Sequence, residues 1–254
     1  MRQVIDERAY RFFHENGYVS LGKILTDEET ARYRAQYDRD RTDFAYMWRL
    51  YGHQTINCDA LISWPEVDEL IRHPVALSAI ETLMNGSVCF SEVCVRHMAV
   101  YEGETHRSWH RDRSHAAEHP LRMPYIQLML YLSDVDETTH CFSVSPESAD
   151  DPVLETDAQL ARGGVVDLHG EAGTAILFNI AVLHTATVRP TRQERKTVQV
   201  YYGPQDARYL SNDSCIPTRL WRDHADPATR MFYGKLNPKS ALFSDAFGIP
   251  ATTG

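Results

Sequence analysis

The tripeptide His110-Arg111-Asp112 and a histidine 74 residues later, His184 (184 − 110), supply two imidazoles and one carboxylate. That donor set, gathered on one face of a metal ion, is the one non-haem Fe(II) centres use to activate O2, with the other face open to ligands. In an extended segment residues i and i+2 point to the same side, so His110 and Asp112 can reach one ion while Arg111 points away. The interval to His184 is long enough to hold several strands and bring the chain back beside His110. His184 lies in FNIAVLHTATV, a strand-like run in which a polar residue needs a partner. Alone it reads as a core histidine bonded to backbone; in combination with His110 and Asp112 it reads as the third ligand.

Two further His-x-acid tripeptides compete. His169-Gly170-Glu171 sits in the turn-like DLHGEAG, 15 residues before His184 (184 − 169), which leaves no room for intervening strands. It reads as a hairpin turn. His224-Ala225-Asp226 has no histidine after it and is followed at once by Pro227. Arg195 follows His184 by 11 residues (195 − 184) and opens the strand-like RKTVQVYYG. A guanidinium there suits the distal carboxylate of 2-oxoglutarate, because its planar fork matches a carboxylate in two parallel hydrogen bonds. Arg189 and Arg192 lie in the turn VRPTRQE and read as solvated charges. On YIQLMLYL, Gln127 shares a face with Tyr125, Met129 and Tyr131; it faces either a polar cavity, as a second co-substrate contact, or solvent.

Strands must position these groups. SVCFSEVCVRHMAVY (87–101), YIQLMLYL (125–132), CFSV (141–144), GVVDL (164–168), TAILFNI (174–180), VLHTATV (182–188) and RKTVQVYYG (195–203) are rich in β-branched and aromatic residues and are separated by turn formers. Before them the pattern is helical. Helices are expected over 7–16 with Gly17 as the C-cap, from a Thr26/Glu29 capping box to about Tyr37, and over 74–85, with a short strand YVSL between the first two. The expected architecture is mainly β with α: a barrel or sandwich of two layers behind an N-terminal helical buttress. The expected organisation is one domain over 1–254, with a helical part at about 1–86, a β core at about 87–203 and a largely irregular tail at about 204–254 carrying one short helix.

With 26 basic against 35 acidic residues, the formal net charge is −9. An acidic surface speaks against nucleic acid and anionic membranes as partners. No run approaches the roughly 20 apolar residues of a membrane span. The acidic N-terminus MRQVIDERAYRFF lacks the apolar stretch of a signal peptide, and a cytoplasmic location is expected. The five cysteines, Cys58, Cys89, Cys94, Cys141 and Cys215, form no CxxC pair, so reduced thiols are expected and any metal must use histidines and carboxylates.

In order and spacing these pieces resemble the phytanoyl-CoA dioxygenase family over roughly residues 8 to 203. FFHENGYVSLGKILTDEETARY resembles the family's opening, SWHRD its His-x-Asp segment, CFSVSPESAD its Pro-Gly-Ser-His turn, and GTAILFNIAVLHTATVRPTRQERKTVQVYYG its distal His and Arg segment. The resemblance implies a double-stranded β-helix, or jelly-roll. It also implies Fe(II) on His110, Asp112 and His184, with 2-oxoglutarate on Arg195 and O2 as oxidant. The products would be succinate, CO2 and an oxidised, most simply hydroxylated, small molecule. Asp112 argues against halogenation, since halogenating relatives replace this carboxylate by a small residue. There are departures: Glu147 stands where the turn usually has Gly, Ala149 where it often has His, and Ala186 where a Ser often binds 2-oxoglutarate. The alternative is a cupin-like metal enzyme that does not use 2-oxoglutarate, which has no need of Arg195. HRSWHRDRSHAAEHPLR (106–122) sets Arg107, Arg111, Arg113 and Arg122 and several histidines against Asp112 and Glu118. Either this run draws an anionic substrate to the site, with Trp109 as an apolar wall, or its arginines pair with surface acids.

Overall fold

A computed structural model describes residues 5–115, 119–123, 125–205 and 211–248. Helix α1 (Glu7–Asn16) is capped by Asp6, whose carboxylate accepts the Ala9 N–H, and ends at Gly17 with φ 75°. A Cβ at Gly17 would meet Val182 Cγ2 at 2.9 Å. Both the left-handed turn and the close approach therefore demand glycine where the chain enters β1 (Tyr18–Lys23). The reciprocal Thr26–Glu29 capping box starts α2, which runs Asp27–Asp43, longer than expected. Short helices α3 (Ala60–Ser63) and α4 (Val67–Ile71) precede α5 (Pro74–Met84).

Seven antiparallel strands form the larger sheet in the order β1-β8-β5-β10-β4-β3-β2. Its further members are β2 (Arg49–Tyr51), β3 (Gln54–Asn57), β4 (Val88–Met98), β5 (Ile126–Tyr131), β8 (Thr174–Asn179) and β10 (Arg195–Pro204). A smaller sheet has the order β7-β6-β9, with β6 (Cys141–Ser145), β7 (Val166–Leu168) and β9 (Leu183–Thr187). Residues 106–110 lie along β9 through the isolated bridges His106↔Val188 and His110↔His184. The two sheets form the expected jelly-roll.

The larger sheet has two chemically different faces. Register puts Leu128 beside Val200 and Leu177, and Val198 beside Val95; this face packs on the helices through Phe13, Tyr37, Leu61, Ile80 and Leu83. Each such buried aliphatic or aromatic side chain contributes roughly 1.5–3 kcal/mol relative to exposure. The opposite face is mixed. Toward β8 it carries Met129, Tyr131, Ile176 and Phe178, which pack against Phe142 and Val144 of the small sheet. Toward β4 it carries polar groups: Arg195, Thr197, Gln199 and Tyr201 alternate along β10, and Arg96 opposes Thr197. That polar half of the barrel interior is where the site lies.

Three elements differ from expectation. The β2–β3 hairpin was not anticipated; it extends the large sheet along β4 and is anchored by Asn57 Nδ2, which donates to Asp40 Oδ2 (3.1 Å) and Ser63 Oγ (2.9 Å). Helix α6 (Thr156–Gly163) occupies the connection after β6. The tail, expected to hold one short helix, has three among its described residues: α7 (Thr218–Trp221), α8 (Pro227–Tyr233) and α9 (Pro238–Ala246). Asp226 and Asn237 cap the last two, each followed by Pro at the first helical position, where the missing N–H costs nothing. Leu220, Trp221, Phe232 and Tyr233 bury against the outer face of the sheet. No described helix is long and apolar enough to cross a membrane. Glu118, counted in the basic run, lies outside the described residues.

Candidate metal centre and co-substrate cavity

His110 and His184 face each other because their backbones pair directly. His110 N donates to His184 O, and His184 N to His110 O, both at 3.0 Å. The ring centroids are 4.4 Å apart. Asp112 N donates to Ile180 O at 3.0 Å, holding the third group over the turn that leads from β8 into β9. The His-x-Asp segment is thus extended only by single bridges, and this suffices to aim both side chains one way. His110 Nε2 lies 3.6 Å from Asp112 Oδ1, and His184 Nε2 lies 3.7 Å from Asp112 Oδ2. One ligand atom from each of the three residues falls within 4.8 Å of the others.

The donor chemistry fits a divalent ion. His110 Nδ1 is 2.9 Å from Ser108 O and His184 Nδ1 is 2.9 Å from Val182 O. Each imidazole therefore carries its proton on Nδ1 and presents a bare Nε2 inward. Burial pushes His184 down to about 4, against the opposing pull of Asp112, so it is neutral at ordinary pH, as a ligand must be. Phe142 and Phe178 flank its ring at 5.6 and 5.0 Å between centroids. Tyr201 Oη donates to Asp112 Oδ2 at 3.0 Å; burial, then Asp112, raises this phenol well above its ordinary range, so it stays a donor. Donor atoms about 2 Å from one ion on a single face lie roughly 3 Å apart, close to the separations found. His110, half-exposed, forms the open side.

Arg195 enters the same cavity from β10. It is 2% exposed, and its Nε and Nη1 have no hydrogen-bond partner. Burial lowers its pKa. A buried guanidinium without an anion is costly to fold around, by several kcal/mol, so this one fits an anionic ligand. Gln127 is buried, not solvent-facing, and its Nε2 donates to Gln199 Oε1 at 2.9 Å; both amides line the cavity with Arg195. Ala186 lines it too, and neighbouring Thr185 does not substitute for the family's serine, since its Oγ1 accepts from Ser108 N and donates to Ala186 O. Arg189 is held by Asp167 (2.5 Å) and Arg192 is exposed, so neither competes for the cavity.

The remaining candidates fall elsewhere. Gly170 bridges Val135 and Glu171 pairs with Lys23, the turn expected of that tripeptide. His169 does approach Cys141 and Asp167, but Asp167 is already engaged by Arg107, Arg189 and Ser143. His224 Nδ1 accepts from Asp226 N, a capping arrangement. The basic run does not face the site as a unit. Arg107 pairs with Asp167 at 3.3 Å and Arg111 with Glu147 at 2.8 Å, and none of Arg107, Arg111, Arg113 and Arg122 lines the cavity at the triad.

Glu147 was noted only as a departure in the turn. Its side chain is 1% exposed; Oε1 accepts from Arg111 and Oε2 from Leu183 N. One carboxylate thus ties the residue between His110 and Asp112 to the residue before His184. No spacing rule reveals such a pair, because Arg111 and Leu183 each lie 36 residues from Glu147.

Comparison with known proteins gives the chain's family and structures of like fold. The family profile described as phytanoyl-CoA dioxygenase matches residues 13–197. The peroxisomal phytanoyl-CoA dioxygenase of Rattus norvegicus is 20% identical over 265 residues, covering 90% of this chain and 77% of the rat protein. Among solved structures, EctD from S. alaskensis with 2-oxoglutarate and 5-hydroxyectoine superposes with a TM-score of 0.68 at 17% identity, covering 82% of this chain and 79% of EctD. SnoK, a non-haem α-ketoglutarate-dependent carbocyclase from nogalamycin biosynthesis, gives 0.67 at 18% identity, covering 81% and 86%.

Proposed function

Because this chain belongs to the phytanoyl-CoA dioxygenase family and is a non-haem iron- and 2-oxoglutarate-dependent oxygenase, we propose that His110, Asp112 and His184 hold its Fe(II) and that Arg195 anchors its 2-oxoglutarate. The observation that carries this assignment is the convergence, in one cavity, of the three facing donors and a buried guanidinium with two unpartnered N–H groups. When bound, the iron centre couples the reduction of O2 to the decarboxylation of 2-oxoglutarate to succinate and CO2 and to oxidation of a substrate.

The chain's own residues do the positioning. Ser108 O and Val182 O fix both imidazoles with Nε2 inward, and Tyr201 orients the Asp112 carboxylate. Arg195 takes the far carboxylate of the co-substrate, and Gln127 and Gln199 stand where they can hydrogen-bond it. The open side at His110 and Trp109 admits a small molecule, for which we propose hydroxylation, in a single oxygenase domain spanning the chain. A cupin-like reaction without 2-oxoglutarate gives Arg195 no role.

The test measures succinate formed from 2-oxoglutarate with and without Fe(II), beside calorimetric 2-oxoglutarate binding under anaerobic conditions. Arg195→Gln should raise the 2-oxoglutarate Kd at least tenfold, because hydrogen bonds to a charged group contribute about 1.5–3 kcal/mol and about 1.4 kcal/mol is a factor of ten. Iron-independent turnover, or an unaltered Kd in that variant, contradicts the assignment.

A further inference from the structure

A second arginine reaches the centre, and nothing in the assignment above employs it. Arg96 projects from the inner face of β4, between Thr197 of β10 and Ile56 of β3. Its Nε is buried with no hydrogen-bond partner, and no carboxylate lies within ion-pair distance among the described residues. Its neighbours are the Tyr51 ring, 5.8 Å from the guanidinium carbon, the thiols of Cys94 and Cys58, the Tyr201 phenol, and Glu92 four residues earlier on the strand. Glu92 is engaged instead by the Ser211 hydroxyl.

Arg96 also stands at a junction. The co-substrate cavity and an outer cavity of about 420 Å3 share Gln54, Arg96, His110, Asp112, Thr185 and Ala186. The outer cavity continues along Tyr51, Met98, Trp109 and Val188, an apolar and aromatic wall. Two more polar atoms on its lining residues are buried without partners, Gln54 Oε1 and His106 Nε2. With iron and 2-oxoglutarate in place, the ion, Asp112, the co-substrate dianion and Arg195 balance to zero charge. Arg96 then remains as a cation beside the iron, with Glu92 acting on it electrostatically from beyond ion-pair distance.

Resting on the assignment above, we propose that Arg96 anchors the carboxylate of the substrate. The substrate is an organic acid whose apolar body lies along the Tyr51 and Trp109 wall and whose carboxylate meets the Arg96 fork, with the Gln54 amide and His106 at hand for further hydrogen bonds. A carboxylate, rather than a phosphate, suits a single planar guanidinium whose one neighbouring arginine, Arg195, is taken by the co-substrate, with no further Lys or Arg lining either cavity among the described residues. The positive group that selects the substrate therefore comes from β4 and not from the basic run 106–122, two of whose arginines are already paired.

The experiment uses the full-length Fe(II) protein, anaerobic and saturated with 2-oxoglutarate. It titrates calorimetrically a panel of aliphatic and aryl-alkyl monocarboxylic acids of graded length, each beside its primary amide. Wild type should bind at least one acid tenfold or more tighter than the matching amide. Arg96→Gln should bring that ratio within twofold of unity while changing the 2-oxoglutarate Kd less than twofold. Arg195→Gln should do the reverse. A wild-type protein that prefers none of the acids to its amide overturns the proposal whether or not the variants fold. So does an Arg96→Gln protein that keeps the preference. If acid preference depends on Arg96 but Arg195→Gln leaves 2-oxoglutarate binding untouched, the co-substrate assignment fails and the proposal for Arg96 stands.

Discussion

At the scale of single residues, the site depends on side chains that have been given only one option. Each ligand histidine has Nδ1 committed to a carbonyl two residues before it, so Nε2 is the atom left to bind. Arg111, forced outward by the alternation that turns His110 and Asp112 inward, is held by Glu147. Breaking such a pair leaves a buried charge uncompensated, which costs about 3–5 kcal/mol. Glu147→Gln should therefore lower stability by roughly 3 kcal/mol in urea unfolding. By loosening the 110–112 segment and the start of β9, which carry the proposed ligands, it should also weaken Fe(II) binding at least tenfold. Adding Arg111→Met should recover most of the stability. Unchanged stability and metal affinity in the single variant would remove Glu147 from the account. That His110, Asp112, His184 and Arg195 meet in one cavity was legible in the sequence because strand alternation and the long return interval left few other combinations. Glu147 and Arg96 were not, since their roles depend on partners distant in sequence and, for Arg96, on which face of an otherwise buried strand turns inward.

At the scale of elements, strand alternation divides stability from function. Leu128 and Gln127 are neighbours on β5, yet Leu128 packs against the helices and Gln127 lines the cavity. Leu128→Ala should cost about 2–5 kcal/mol of stability, with the 2-oxoglutarate Kd kept within twofold. Gln127→Ala should weaken 2-oxoglutarate binding and leave the unfolding midpoint nearly unmoved. Equal effects of both changes on both measurements would mean the faces are not separate. The strands from β4 to β10 were visible as runs of β-branched and aromatic residues. The β2–β3 hairpin was not, because RLYGHQTIN gives only three- and four-residue strands, although Gly52, with φ 58°, marks its turn. The tail helices α8 and α9 carried readable signals, Asp226-Pro227 and Asn237-Pro238, inside a polar stretch that otherwise read as irregular.

At the scale of the whole molecule, the barrel buries groups that titrate near neutrality. Burial pushes His184 down to about 4 and lowers His73, His97, His115 and His140 in the same direction. In the unfolded chain a histidine titrates near 6.5. Between that value and the depressed native one, the unfolded state binds more protons, so stability is lost as pH falls from about 6.5 towards about 4. Within this window His184 alone can contribute up to about 1.4 kcal/mol per pH unit. Urea midpoints of the metal-free protein should fall between pH 7 and pH 5, and less steeply for His184→Gln. A midpoint independent of pH over that range would show that these histidines charge freely in the native state.

The central claim is that one ion is held between two sheets by residues 110, 112 and 184. Crystals loaded anaerobically with Fe(II) and 2-oxoglutarate test it most directly, through anomalous diffraction at the iron edge. The account predicts a single strong peak about 2.0–2.2 Å from His110 Nε2, an Asp112 oxygen and His184 Nε2, with the far carboxylate of 2-oxoglutarate on Arg195. A peak at Cys141, Asp167 and His169, or none at the facing histidines, would contradict it.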